Sequence, residues 1–342
     1  MTDSSEVMDC IICGKPIKSE REGFHKSHTV PQFCLDNIKA ELNGNYKILT
    51  PSSIRPQGLL PITDSGVNKT GIFYLICSNC DSSKFQVYES EEALLGGCTR
   101  DMLDAIALKA YLKEFYDTTY NKLRTELDYT KLTDHELLKN YMSWIANIHS
   151  DVTMMNWSEF GQNIKIALKS FNNHYGNYKL IYYEVLDYKV PIAAQTIIPI
   201  SHDTEFNEIQ DVFATNPKPI EELIVCIFPL KYKSVVILFT QLGNRKLKRY
   251  IQQFKRLSRE NKLKELFYLL IRYKGTNYYL SPLIQKLLVG DRSIQAIMSI
   301  EDSGIKTKEF DLKFAWFEEP RWKDELPNIL LPEYSMQSLR KK

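Results

Sequence analysis

Apolar positions change their period three times along this chain. Residues 1–90 carry only short apolar pieces among Cys, Gly, Pro and Ser, with one extended run, Ile72 to Ile76, that predicts a strand feeding into a Cys-x2-Cys pair. From Met102 to Leu112 the run MLDAIALKAYL is apolar on nearly every side, which predicts a helix buried between layers. TDHELLKNYMSWIANI follows, with Thr133 and Glu136 in capping-box spacing and Leu137, Tyr141, Ile145 and Ile148 along one face. A third helix is expected from Ser158 to Phe171.

Residues 178–240 switch to β-rich runs, YKLIYYEVL, VPIAAQTIIPI, ELIVCIFPL and SVVILF, and Lys231–Lys233 is short enough for a hairpin turn. Helical spacing returns in RKLKRYIQQFKRLSRENKLKELFYLLIRY, and FDLKFAWF alternates like a strand. The expected fold class is α+β: an N-terminal module over residues 1–100, then a helical bridge and a larger α+β domain with a mainly antiparallel sheet over 101–342.

Composition narrows the class without identifying it. Among 342 residues, 44% are apolar and 25% charged, the balance of a globular chain with a sizeable core. The N-terminus has neither a basic start nor an apolar run, and stretches such as LIVCIF are too short to span a bilayer. A cytoplasmic protein with no membrane association is expected. Seven cysteines, four of them in two CxxC pairs, favour metal ligation over a disulfide framework in such a compartment.

Cys10, Cys13, Cys77 and Cys80 can present four thiolates to one structural Zn2+. The competing assignment is a finger built from Cys10, Cys13, His25 and His28. It has eleven residues between its pairs and a histidine spacing shorter than usual, and it would leave Cys77 and Cys80 idle. Cys34, Cys98 and Cys226 read as core thiols.

Between the knuckles stands SHTVPQFCL, and the second knuckle continues as CSNCDSSKFQVYESEE. With the first CxxC, these segments resemble the zinc-bearing HNH, or ββα-metal, endonuclease-like proteins of bacteria and their phages. The resemblance covers residues 10 to about 95. It implies that residues 1–100 fold as a zinc-knuckle, HNH/treble-clef-like ββα module, and that the protein is a metal-dependent endonuclease that hydrolyses phosphodiesters, with a role in defence against foreign DNA. It also implies that His28 is the general base and that Asp81 is a ligand of a catalytic Mg2+ or Mn2+. The position before the base, where the family commonly has a metal ligand, is Ser27 here. Glu89, eight positions after Asp81, is expected on the same side of a helix, where it could supply a second carboxylate, and Asn68 could fill an orienting slot. Each residue has a structural alternative. His28 can brace the zinc site through a loop carbonyl, Asp81 can cap the following helix, and Glu89 can be a solvated helix residue. The corresponding functional alternative is a non-catalytic zinc scaffold that binds nucleic acid or a partner protein.

Charge adds one further feature. The net charge of +2 hides a segment, Arg245 to Lys274, with eleven Lys or Arg against two Glu. Leu247, Tyr250, Ile251, Phe254 and Leu257 form its expected buried stripe, while Arg245, Lys248, Arg249, Lys255, Arg256 and Arg259 fall off it. Such a face can track a phosphate backbone, so nucleic acid is the expected partner. A solvated face balanced by acids such as those of EFNEIQD is the alternative.

Overall fold

The structure, a computed structural model, describes residues 8–17, 25–42, 44–51, 62–126, 158–212, 220–273, 277–300 and 310–341. The chain is mixed α+β, and its paired strands are antiparallel. It forms two compact units interleaved in sequence: residues 1–29, 71–93 and 98–177 make one, and 30–70, 94–97 and 178–342 the other. Where the sequence pattern suggests one boundary near residue 100, the chain passes between the units several times.

In the first unit, helices Arg100–Glu126 and Ser158–Asn173 pack on each other. Every residue from Met102 to Lys113 is buried, as expected of a run apolar all round. The polar members of that run must then find partners inside. Asp104 accepts hydrogen bonds from Ser170 Oγ (2.7 Å) and the Gly176 amide (3.3 Å), and Ser170 Oγ accepts one from the Asn177 amide (3.0 Å). Gly176 has φ +63°, and a Cβ there would meet the Arg100 side chain at 3.0 Å, so the turn needs glycine. The helix expected over 133–148 lies outside the described residues.

The second unit is built on an eight-stranded sheet. Its order runs Ala40–Leu42, Asn45–Pro51, Tyr278–Leu280, Ile192–Ile198, Leu223–Pro229, Ser234–Gln241 and Tyr178–Leu186, with Ile62–Ser65 also paired to Asn45–Pro51. The strands Ile192–Ile198 and Leu223–Pro229 are buried along their whole length, which explains why apolar residues fall on both faces of each. Lys231–Lys233 forms the expected hairpin turn, closed by the Leu230 amide on the Lys233 carbonyl at 2.8 Å.

The basic segment forms two helices, Lys248–Arg256 and Arg259–Arg272, divided where Ser258 Oγ caps the Asn261 amide at 3.2 Å. Leu247, Tyr250, Ile251 and Phe254 are buried in the core beside the sheet, and Leu257 is half-buried.

Two expectations are corrected here. FDLKFAWF lies in a helix, Phe310–Glu325, because eight residues of mixed apolar and polar character satisfy a helical period as readily as a strand's. The strand at Ile72 stops at Phe73, two residues long, where it pairs with Ser27–His28.

Candidate metal centre and buried acidic pair

The short strand Met8–Asp9 pairs with Pro16–Ile17, and the turn between them carries Cys10 and Cys13. The Gly14 amide closes this turn on the Cys10 carbonyl, and the Cys10 amide on the Lys15 carbonyl, both at 2.8 Å. The second pair straddles the start of helix Ser78–Lys84. Cys77 is its N-cap, and its sulfur accepts the Cys80 amide at 3.4 Å. The Ile11 amide bonds the Leu75 carbonyl at 3.1 Å, and the Cys77 amide points at Cys10 Sγ at 3.3 Å, so backbone bonds hold the knuckles together.

All four sulfurs lie within 4.8 Å of one another, with Cys13 Sγ 3.8 Å from Cys77 Sγ. A zinc–thiolate bond of about 2.3 Å implies tetrahedral sulfur separations of about 3.8 Å, so the donor set fits one ion. These four cysteines could therefore bind a metal ion such as zinc. Burial pushes the Cys10 and Cys80 thiols up, the latter helped by its neighbouring thiols. The Lys15 amide draws Cys13 down. A bound cation favours the thiolate at all four. The competing finger is not assembled: His25 Nε2 lies 2.9 Å from Asp81 Oδ2 instead.

His28 sits on the first of two short paired strands, opposite Ile72, with its ring half-buried and Nε2 shielded from solvent. Its neighbour Ser27 is fully buried. Asp81 occupies the first turn of the Ser78–Lys84 helix, which begins between the cysteines and not after them, so the cap is Cys77 and not Asp81. Nor does Glu89 share that helix, which ends at Lys84. Asn68, in the other unit, accepts a hydrogen bond from Gln32 at 3.2 Å.

Asp81 and Glu89 are brought together by a residue that the sequence pattern conceals. Lys109, 1% exposed in helix Arg100–Glu126, places Nζ 2.7 Å from Asp81 Oδ1 and in close contact with Glu89 Oε1. The same ammonium lies 4.5 Å from the centre of the Phe85 ring, which stacks on Phe171. Burial alone would raise Asp81, but His25 and Lys109 outweigh it and hold the carboxyl below its usual value. Burial wins at Glu89, whose carboxyl is raised despite Lys109, with the Asp81 charge adding to the shift. The clue lay in IALKAYL, because a lysine inside an all-round apolar helix needs a buried acid.

Of the six basic residues singled out, two are engaged by acids. Arg249 Nε pairs with buried Asp203 at 2.7 Å and its Nη2 with Glu205 at 3.3 Å, and Arg259 pairs with Glu184. Arg245, Lys248, Lys255 and Arg256 are exposed. No protein-family model, curated protein or solved structure matches the chain.

Proposed function

We propose that this chain is a zinc-stapled, HNH-like ββα protein that works as a nucleic-acid-binding scaffold and not as a divalent-metal nuclease. The observation that carries the reading is the position of Lys109. Its ammonium lies against both carboxylates that a catalytic Mg2+ or Mn2+ would need, and His25 takes the other oxygen of Asp81. A buried cation already bridges the pair, so a divalent ion would have to displace a desolvated lysine or share the site with its charge. One Zn2+ across Cys10, Cys13, Cys77 and Cys80 then serves folding alone, a role for which structural zinc supplies ample free energy. Grip on nucleic acid falls to the exposed face of helix Lys248–Arg256, through Lys248, Lys255 and Arg256.

The second reading is an active endonuclease with His28 as base, possessing a role against foreign DNA. What favours it is the order of elements: strand Ser27–His28, its partner Ile72–Phe73, then helix Ser78–Lys84 bearing Asp81. Nicking of supercoiled plasmid with Mg2+ or Mn2+ separates the two. The scaffold reading expects no nicking by wild type above buffer. Nicking that disappears in His28→Ala and Asp81→Ala, with zinc content retained, would establish the nuclease.

A further inference from the structure

The strand register of the second unit gathers two exposed tyrosines at one end of the sheet. Leu280 pairs with both Leu49 and Ile192, and Ala194 pairs with Ile227, which sets Pro229 level with Ile192. From that level, Tyr46 lies three residues back along its antiparallel strand, and Tyr232 three residues past Pro229 in the hairpin turn. Both therefore overhang the same end of the sheet. Three to four strand spacings separate them, about 14–19 Å. A hydrogen bond from Asn37 Nδ2 to the Pro229 carbonyl (3.1 Å) ties the segment leading to Tyr46 to the strand leading to Tyr232.

Tyr46 and Tyr232 are each 66% exposed, so their ring faces are open to solvent, and each has an ammonium beside it. Lys39 Nζ is 5.9 Å from the Tyr46 ring centre, and Lys231 Nζ is 5.2 Å from that of Tyr232. Exposed Lys233 stands next in the turn, and the Met336 amide on the Lys189 carbonyl (2.8 Å) brings the C-terminal turn with exposed Arg340 to the same end. Acids are present too: Asp36 pairs with Lys39 and Asp187 with Lys233.

We propose that this end of the sheet binds single-stranded nucleic acid, with unpaired bases stacking on Tyr46 and Tyr232 and phosphates meeting the lysines. Stacking faces flanked by cations are what a single strand uses, whereas a duplex hides its base faces. The proposal does not rest on the basic-helix reading. Strand Ser234–Gln241 starts at this end and finishes at the other, and helix Lys248–Arg256 follows its far end.

The test is fluorescence anisotropy of the full, zinc-loaded chain with a labelled oligothymidylate of about 20 nucleotides, the scale of a few stacking sites. Tyr46→Ala/Tyr232→Ala should weaken binding by about tenfold or more, and Tyr46→Phe/Tyr232→Phe should stay near wild type, because phenylalanine keeps the stacking face. Affinity for a duplex of the same length should not change in either variant. Failure of wild type to bind the single strand would overturn the proposal. So would equal binding by wild type and the alanine variant, or equal loss in the phenylalanine variant. Charge reversal at Lys248, Lys255 and Arg256 tests the other surface independently, since it should leave the alanine-to-phenylalanine difference intact.

Discussion

Replacing Lys109 by methionine removes the charge while keeping most of the side chain's apolar volume. In the native chain this ammonium is 1% exposed and faces Asp81 and Glu89, whose side chains are themselves mostly buried. Deleting one partner of a buried pair costs about 3–5 kcal/mol, because the other charge is left uncompensated. Here two carboxylates lose the same cation and then repel each other, so the upper part of that range is expected. Such a loss is a large share of the stability of an ordinary domain. It corresponds to roughly two hundred- to several thousand-fold in the unfolding equilibrium.

Urea unfolding of the zinc-loaded chain, followed by zinc release to a chromophoric chelator, reports on the unit that contains both the cysteines and Lys109. Lys109→Met should release zinc at clearly lower urea, and adding Asp81→Asn and Glu89→Gln should restore most of the loss. Millimolar Mg2+ or Mn2+ should stabilise Lys109→Met, whose carboxylates are free to bind it, and leave wild type unchanged. A Lys109→Met midpoint within about 1 kcal/mol of wild type would refute the reasoning, because no buried pair could then be at work.

Asp203 accepts hydrogen bonds from Asn207, Glu205 and Gln253 and pairs with Arg249. Although burial opposes it, the hydrogen bonds from Asn207, Glu205 and Gln253 hold the carboxyl below its usual value. Its contribution should be present above the unfolded pKa of about 3.9 and fade as pH falls through the lower folded value. Asp203→Asn should therefore cost stability at pH 7, with a gap that closes towards pH 3 in thermal melts. In alkylation followed by mass spectrometry, chelation should expose Cys10, Cys13, Cys77 and Cys80 together. Cys34 and Cys226, fully buried, should stay unmodified, and half-buried Cys98, its thiol pushed up to about 12 by burial, should label more slowly than the four; early labelling of Cys34 or Cys226 would contradict their placement. Lys248→Glu/Lys255→Glu/Arg256→Glu should weaken duplex binding and flatten its salt dependence, while Arg249→Glu should mainly destabilise the fold, since its charge is spent on Asp203 and Glu205. Unchanged binding by the triple variant would make that face merely solvated.

Local signals carried much of the fold. The runs around Ile192, Leu223 and Ser234 read as strands because burial on both faces favours β-branched and other apolar residues along most of their length. The paired CxxC spacing pointed to one cluster of four sulfurs, which the packing of the two knuckles provides. What sequence could not convey is partnership at long range. Spacing alone places Glu89 on a helix with Asp81, whereas the two meet through a lysine on another element, twenty residues beyond Glu89. FDLKFAWF fits two periods, and nothing within eight residues chooses between them. The overhang of Tyr46 and Tyr232 depends on strand order, which joins segments nearly two hundred residues apart.

If the Lys109 ammonium stands where a catalytic ion would bind, wild type has no room for Mn2+ between Asp81 and Glu89. Titrating the zinc-loaded wild type with Mn2+ and reading the free-ion paramagnetic resonance signal should show no tight site, with one site appearing in Lys109→Met. One equivalent of Mn2+ bound by wild type and lost in Asp81→Asn would overturn that placement and return the site to nuclease chemistry.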